Sequence, residues 1–174
     1  MPELDQAFLD YSADKLKQYA SHIQDCLSRL TAGQIWMRGS EADNSVGNLV
    51  LHLCGNVRQW IGTGIGGAEN IRQRDAEFSA RGGVDGAELS ARLDATIDEA
   101  LPIIRAQTAQ SLVELTQVQN YEVTKLEVIY HVVEHFSGHT GQIQFATKLL
   151  TGQDLGYYKH LSPGSTSDPA SPTP

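Results

Sequence analysis

The stretch TKLEVIYHVVEHFSGHTGQIQFATKLL (Thr124–Leu150) decides the fold of this chain of 174 residues. Its apolar residues recur at helical spacing over an unusually wide arc. Leu126, Ile129, Val133, Phe136 and Ile143 fall on one side, and Val128, Val132, Ala146 and Leu149 on the other. A helix patterned in this way packs against several neighbours rather than one. Thr124, with Glu127 three residues later, reads as a capping box at its start, and TGQ stops it after Leu150. Three of the chain's six histidines, His131, His135 and His139, stand on this one helix at intervals of four.

Three earlier stretches supply the neighbours. The first helix is predicted from Leu4 to Leu30, with Leu4, Phe8, Leu16, Tyr19, Ile23, Leu27 and Leu30 along one stripe. A second runs from Val46 to Ile65 with Ser45 or Asn44 as N-cap, and GTGIGG ends it. A third starts near Gly86, and Pro102 is expected to kink or divide it. The long connection between the second and third contains the charged segment AENIRQRDAEFSARGG (Ala68–Gly83). No strand pair is predicted. The pattern gives an all-α fold, a four-helix bundle with one long connection, over residues 1–152. Residues 153–174 are expected to form a largely disordered tail, because SPGSTSDPASPTP has no side chain able to offset its ordering entropy.

Composition narrows the function. Lys and Arg number 13 against 21 Asp and Glu, a net charge of −8. Such a surface repels phosphate backbones, so nucleic acid is not an expected partner. No apolar run approaches the ~20 residues of a membrane span, and the acidic start MPELDQAFLD lacks a signal-peptide layout. No membrane association and a cytoplasmic location are the expectation. Cys26 and Cys54 are read as buried, reduced thiols.

The histidines carry the chemistry. Residues four apart on a helix are neighbours on its surface, so two imidazoles at that spacing can converge on one ion with ~2.0–2.1 Å bonds. His135 and His139 lie inside the apolar arc. A single inward histidine is usually a hydrogen-bonded core residue. Three of them bury up to six ring nitrogens, and each unsatisfied one costs ~1–3 kcal/mol. A cation relieves that cost. HVVEH also matches the H-x-x-E-H peptidase pattern with Glu134 as base, but that pattern needs a downstream acidic ligand, and only Asp154 and Asp168 follow. Among the other histidines, His52 lies beside the Leu49/Leu53 stripe of the second helix. His22 and His160 are expected to face solvent, and Cys54 points away from His52. The preferred metal-binding triad is His52, His135 and His139, with a position left open. Gly138 and Gly141 flank His139, and close approach of a helix or ligand would account for them. Gln142 is a candidate hydrogen-bond partner near the ion.

A histidine in the second helix followed by HxxxHxGQI (His135, His139, Gly141, Gln142, Ile143) resembles the DinB/YfiT-like superfamily of metalloenzymes. The phrase HVVEHFSGHTGQI, together with RDAEF (Arg74–Phe78), is similar to an uncharacterised bacterial branch of it. The resemblance implies a homodimeric four-helix bundle holding zinc or nickel through His52, His135 and His139. His131 matches a position often occupied by histidine but is not carried over as a ligand. The resemblance also implies a small-molecule substrate and, for some members, thiol-dependent transfer using low-molecular-weight thiols. A metal-dependent hydrolase and a non-enzymatic dimeric metal-binding bundle stand as the alternatives.

Overall fold

The structure, a computed structural model, describes residues 3–159. Four long helices form its frame: α1 (Leu4–Arg29), α3 (Val46–Val57), α5 (Gly86–Arg105) and α7 (Lys125–Thr151). Three short helices, α2 (Ala32–Ile35), α4 (Arg74–Ser79) and α6 (Ala109–Leu112), sit in the connections. A hairpin of β1 (Leu115–Val118) and β2 (Tyr121–Thr124) precedes α7. The protein is thus mostly helical, with one small sheet.

Helix α1 buries Leu9, Ala13, Leu16, Ala20, Ile23 and Leu27, an alternation of four and three that keeps one stripe inward. It packs on α5 and α7, and α3 packs on the same two, so α1 and α3 stand at opposite corners. Helix α3 is buried nearly all round, including Asn48, His52 and Asn56. Such a helix needs partners for its polar groups. Asn48 supplies some. It forms a capping box with Ser45, and its Nδ2 donates to the carbonyls of Glu77 (2.8 Å) and Ala80 (3.0 Å). Arg38 adds hydrogen bonds to Asn48 Oδ1 and the Phe78 carbonyl, both at 2.7 Å. These bonds pin α4, in the middle of the long connection, against α3.

Ser45 is the N-cap of α3 and the Thr124–Glu127 capping box forms, both as the sequence indicates, and left-handed Gly152 closes α7 (φ 68°). Other expectations are corrected. After Val57 the second helix widens into a π-helical segment, Arg58–Thr63. Pro102 does not divide α5, which runs on to Arg105. The proline forfeits one bond of the ladder, that to the Asp98 carbonyl, and the single turn that follows keeps its helical geometry. The antiparallel hairpin was not predicted. Its strands are four residues each, and Gln119–Asn120 is a weaker turn signal than Asn-Gly, although Gln119 does take the left-handed conformation (φ 56°). Leu126 and Leu149, placed in the apolar arc of α7, are exposed.

Cys26 and Cys54 are buried and free. Beyond α7, Leu155 is buried and Tyr157 docks on α1, its hydroxyl donating to Asp25 Oδ2 at 2.6 Å. The rest of the expected tail, 160–174, lies outside the described residues. Among the described residues no helix is long and apolar enough to cross a membrane.

The packing and capping terms separate in a denaturation experiment. Thr124→Ala removes the α7 cap and should lower stability by about 1 kcal/mol. Leu16→Ala, at a fully buried position, should cost ~2–5 kcal/mol. Urea midpoints at an unchanged m-value are the check.

Candidate metal centre

Helices α3 and α7 face each other with His52 against His135 and, two turns further on in the π-helical segment that continues α3, Trp60 against His131. Ascending residue numbers on one thus meet descending numbers on the other. His139 follows His135 by one turn and also meets His52, with ring centroids 5.1 Å apart. His52, His135 and His139 therefore come together, as the sequence proposes. Their ligand atoms all lie within 4.8 Å of one another. The Nε2 atom of His135 is 3.1 Å from Nε2 of His52 and 3.2 Å from Nε2 of His139. Two nitrogens bound tetrahedrally to one ion at ~2.0–2.1 Å stand roughly 3.3 Å apart, so the spacing suits a shared cation.

The far nitrogens explain why the near ones converge. A neutral imidazole carries one proton, and its place is set by the partner of the other nitrogen. Nδ1 of His52 lies 3.0 Å from Glu77 Oε2, and Nδ1 of His139 lies 2.8 Å from Gln142 Oε1. Both oxygens can accept a proton from Nδ1, and Arg72 Nη2 also stands 3.0 Å from Nδ1 of His52; a cation bound at the Nε2 atoms would select the Nδ1–H tautomer in both rings. His135 can donate its single ring proton to only one of its two neighbours, and a divalent ion would satisfy all three inward nitrogens at once. The donor set fits zinc, nickel and other borderline cations.

Glu77 is itself held. Arg72 forks onto it, Nε to Oε1 at 2.7 Å and Nη2 to Oε2 at 2.8 Å, and its Nη1 donates to Gln59 Oε1 at 2.8 Å. Burial pushes the Glu77 carboxyl up, but the bonds from Arg72 and His52 outweigh it and hold the group below the usual carboxylate range. Gly55, three residues after His52, makes room for this pair: a Cβ there would overlap Glu77 Oε1. Burial, reinforced by the facing His139 and His52, pushes the His135 imidazole down to about 3. Burial also lowers His139, against the opposing bond from Gln142.

A cavity of about 450 Å³ opens beside the histidines. His52, His135, Asn56, Trp60, Arg74 and Tyr121 are among its lining residues. His131 also lines it, its ring 4.0 Å from that of Trp60 and outside the triad. A larger hollow of about 920 Å³ lies behind Arg72 and Glu77 and includes none of the histidines.

Several sequence expectations need correction. His22 does not simply face solvent: its ring stacks on Tyr157 at 4.1 Å and its Nδ1 meets Gln144. His160 lies outside the described residues. Glu134 is exposed and lines no part of the cavity, which removes the basis for a peptidase base. No described residue lies within 4 Å of the Cβ positions of Gly138 and Gly141, so packing within the chain does not account for them. The sequence reading missed Arg72 and Glu77. The signal available was an acid among arginines in the long connection, and nothing local showed that it folds back on α3.

The family described as "Protein of unknown function (DUF1572)" matches residues 3–162. No curated protein matches the chain. Among solved structures, the chain is similar to the conserved protein of a locus from Enterococcus faecalis, with a TM-score of 0.69 and 14% identity. The match covers 83% of this chain and 97% of that one, and at this identity it shows the fold alone.

Two outcomes follow. Gly55→Ala should displace Glu77 and weaken Zn²⁺ binding by about 10–100-fold in a chelator competition, whereas Gly33→Ala, in open space, should not change it. In the metal-free protein the unfolded chain takes up the His135 proton near pH 6.5, while the folded chain resists it down to about 3. Folded stability should therefore fall as pH drops through that window, and less steeply in His135→Gln. Urea midpoints between pH 7 and 4 test it.

Proposed function

The chain belongs to the DUF1572 family, and we propose that it is a divalent-metal enzyme of the DinB/YfiT-like type, a four-helix bundle that transfers a group to or from a low-molecular-weight thiol. The observation that carries this reading is the inward convergence of three Nε2 atoms, two of them from residues that line a cavity large enough for a small organic molecule. His52, His135 and His139 would hold the ion, with zinc or nickel suited to three imidazoles. Bound there, the ion would supply Lewis acidity, which lowers the pKa of a coordinating thiol from ~8.5.

The residues around the site favour a thiol over water as the nucleophile. A hydrolase needs a base within reach of its water. Glu127 lines the cavity, but its Oε2 accepts from both the backbone N–H and the hydroxyl of Thr124 at 2.7 Å. Glu77 is engaged by Arg72 and His52. A thiol held at the site requires no such base. The flat faces of Trp60, Tyr121 and His131 can take the apolar body of a substrate. Arg74, exposed and stacked 4.9 Å from the Phe78 ring, can meet a carboxylate at the rim.

In this reading residues 1–152 form the metal-binding bundle, and the segment from 153 is an appendage whose described part docks on α1. A homodimer is part of the proposal. Tyr130, Phe145 and Leu149 are exposed along one side of α7, beside the open Gly138 and Gly141, and a second copy would cover them.

Metal-loaded protein, incubated with common cellular thiols and an electrophile, should consume the thiol faster than the blank. His139→Ala should lose that rate together with its metal. No rate above blank across the thiols, with turnover of an ester instead, would favour the hydrolase. Sedimentation should give twice the chain mass, and Phe145→Glu should give the monomer.

A further inference from the structure

Ligation through Nε2 places the proton of every ligand histidine on Nδ1. Glu77 accepts that proton from His52, and Gln142 accepts it from His139. His135 is the exception: its Nδ1 is buried and has no hydrogen-bond partner among the described residues. A buried N–H left in that state works against the ion, because binding metal commits the proton to the unpartnered side.

One group of complementary chemistry stands nearby. Asn56 is 4% exposed, and its Oδ1 is also buried without a partner. It lies four residues after His52 and four before Trp60, on the face of α3 that meets α7. His52 there faces His135, and Trp60 faces His131. Asn56 therefore sits opposite the single turn between His131 and His135. It lines the same cavity as His135.

We propose that Asn56 is the positioning residue for His135: once the ion engages Nε2, the carboxamide oxygen accepts the Nδ1 proton. The inference rests on the metal-centre reading above. All three ligands then have an outward oxygen, one from a carboxylate and two from carboxamides. His52, His131 and His139 surround this ring, with Arg72 beyond them; Glu77 already supplies a buried negative charge to balance Arg72, so a neutral acceptor adds no second buried charge. The indole Nε1 of Trp60 is the competing donor, buried and likewise unpartnered. The carboxamide oxygen has two lone pairs and can serve both.

The test uses full-length protein stripped of metal, with Co²⁺ and Zn²⁺ as probes. Wild type should bind one ion, and His139→Ala should not; if wild type fails to bind, the metal-centre reading falls, and this inference with it. Given wild-type binding, Asn56→Leu should weaken Zn²⁺ affinity by about 10–100-fold and shift the Co²⁺ ligand-field bands. Its metal-free melting temperature should stay at or above wild type, since an unpartnered polar group is removed. Asn56→Asp, which keeps the acceptor, should recover most of the affinity, and Trp60→Phe should leave it within about twofold. In Zn²⁺-loaded wild type, proton–nitrogen NMR should show a protected Nδ1–H on His135 that Asn56→Leu loses. Asn56→Leu binding Zn²⁺ as tightly as wild type would overturn the proposal. So would equal losses in the Leu and Asp variants, or a loss that Trp60→Phe reproduces.

Discussion

The structure turns on where two protons sit. With Nδ1 of His52 against Glu77 and Nδ1 of His139 against Gln142, both rings can turn an unprotonated Nε2 inward, where they meet a third imidazole at 3.1 and 3.2 Å. His135 has one ring proton and can offer it to only one of them, so the cluster cannot satisfy every inward lone pair by itself, and a cation can. The geometry of the bundle around these rings is best understood as support for that constraint.

That support is assembled from distant parts of the chain. Arg72 and Glu77 form a forked ion pair with side chains 5% and 10% exposed. Such a pair is a poor source of stability, because desolvation offsets its attraction. Its value lies in direction: it fixes one carboxylate oxygen behind His52. Gly55 allows the approach, and Asn48 and Arg38 anchor the segment that carries Glu77. Gln59 continues the chain of hydrogen bonds outward, from Arg72 to Gln119 at the hairpin tip (2.7 Å). The hairpin that walls the cavity is thereby tied to the residues that orient the first ligand.

Much of this was legible in the sequence, for physical reasons. Helices with a single buried stripe announce themselves by period, and the Ser45 N-cap and the Thr124 capping box are local patterns of side chain and backbone. The pairing of His135 and His139 follows from helix geometry alone. His52 was the only other histidine placed on an inward helical face. What the sequence hid was non-local. Glu77 sits 25 residues from His52 and reaches it only because α4 folds back on α3. The hairpin is too short for its period to show, and the docking of Tyr157 on α1 depends on surface that no local pattern describes. Gly138 and Gly141 looked like packing positions and prove open to the outside.

The most direct measurement is X-ray absorption at the metal edge on protein purified without a nickel column, with metal content determined on the same sample. The account predicts about one divalent ion per chain, with a first shell containing three imidazole nitrogens at ~2.0–2.1 Å plus lighter scatterers at the open position. A chain that carries no ion and takes none up, or a shell that survives unchanged in His52→Ala, would contradict it.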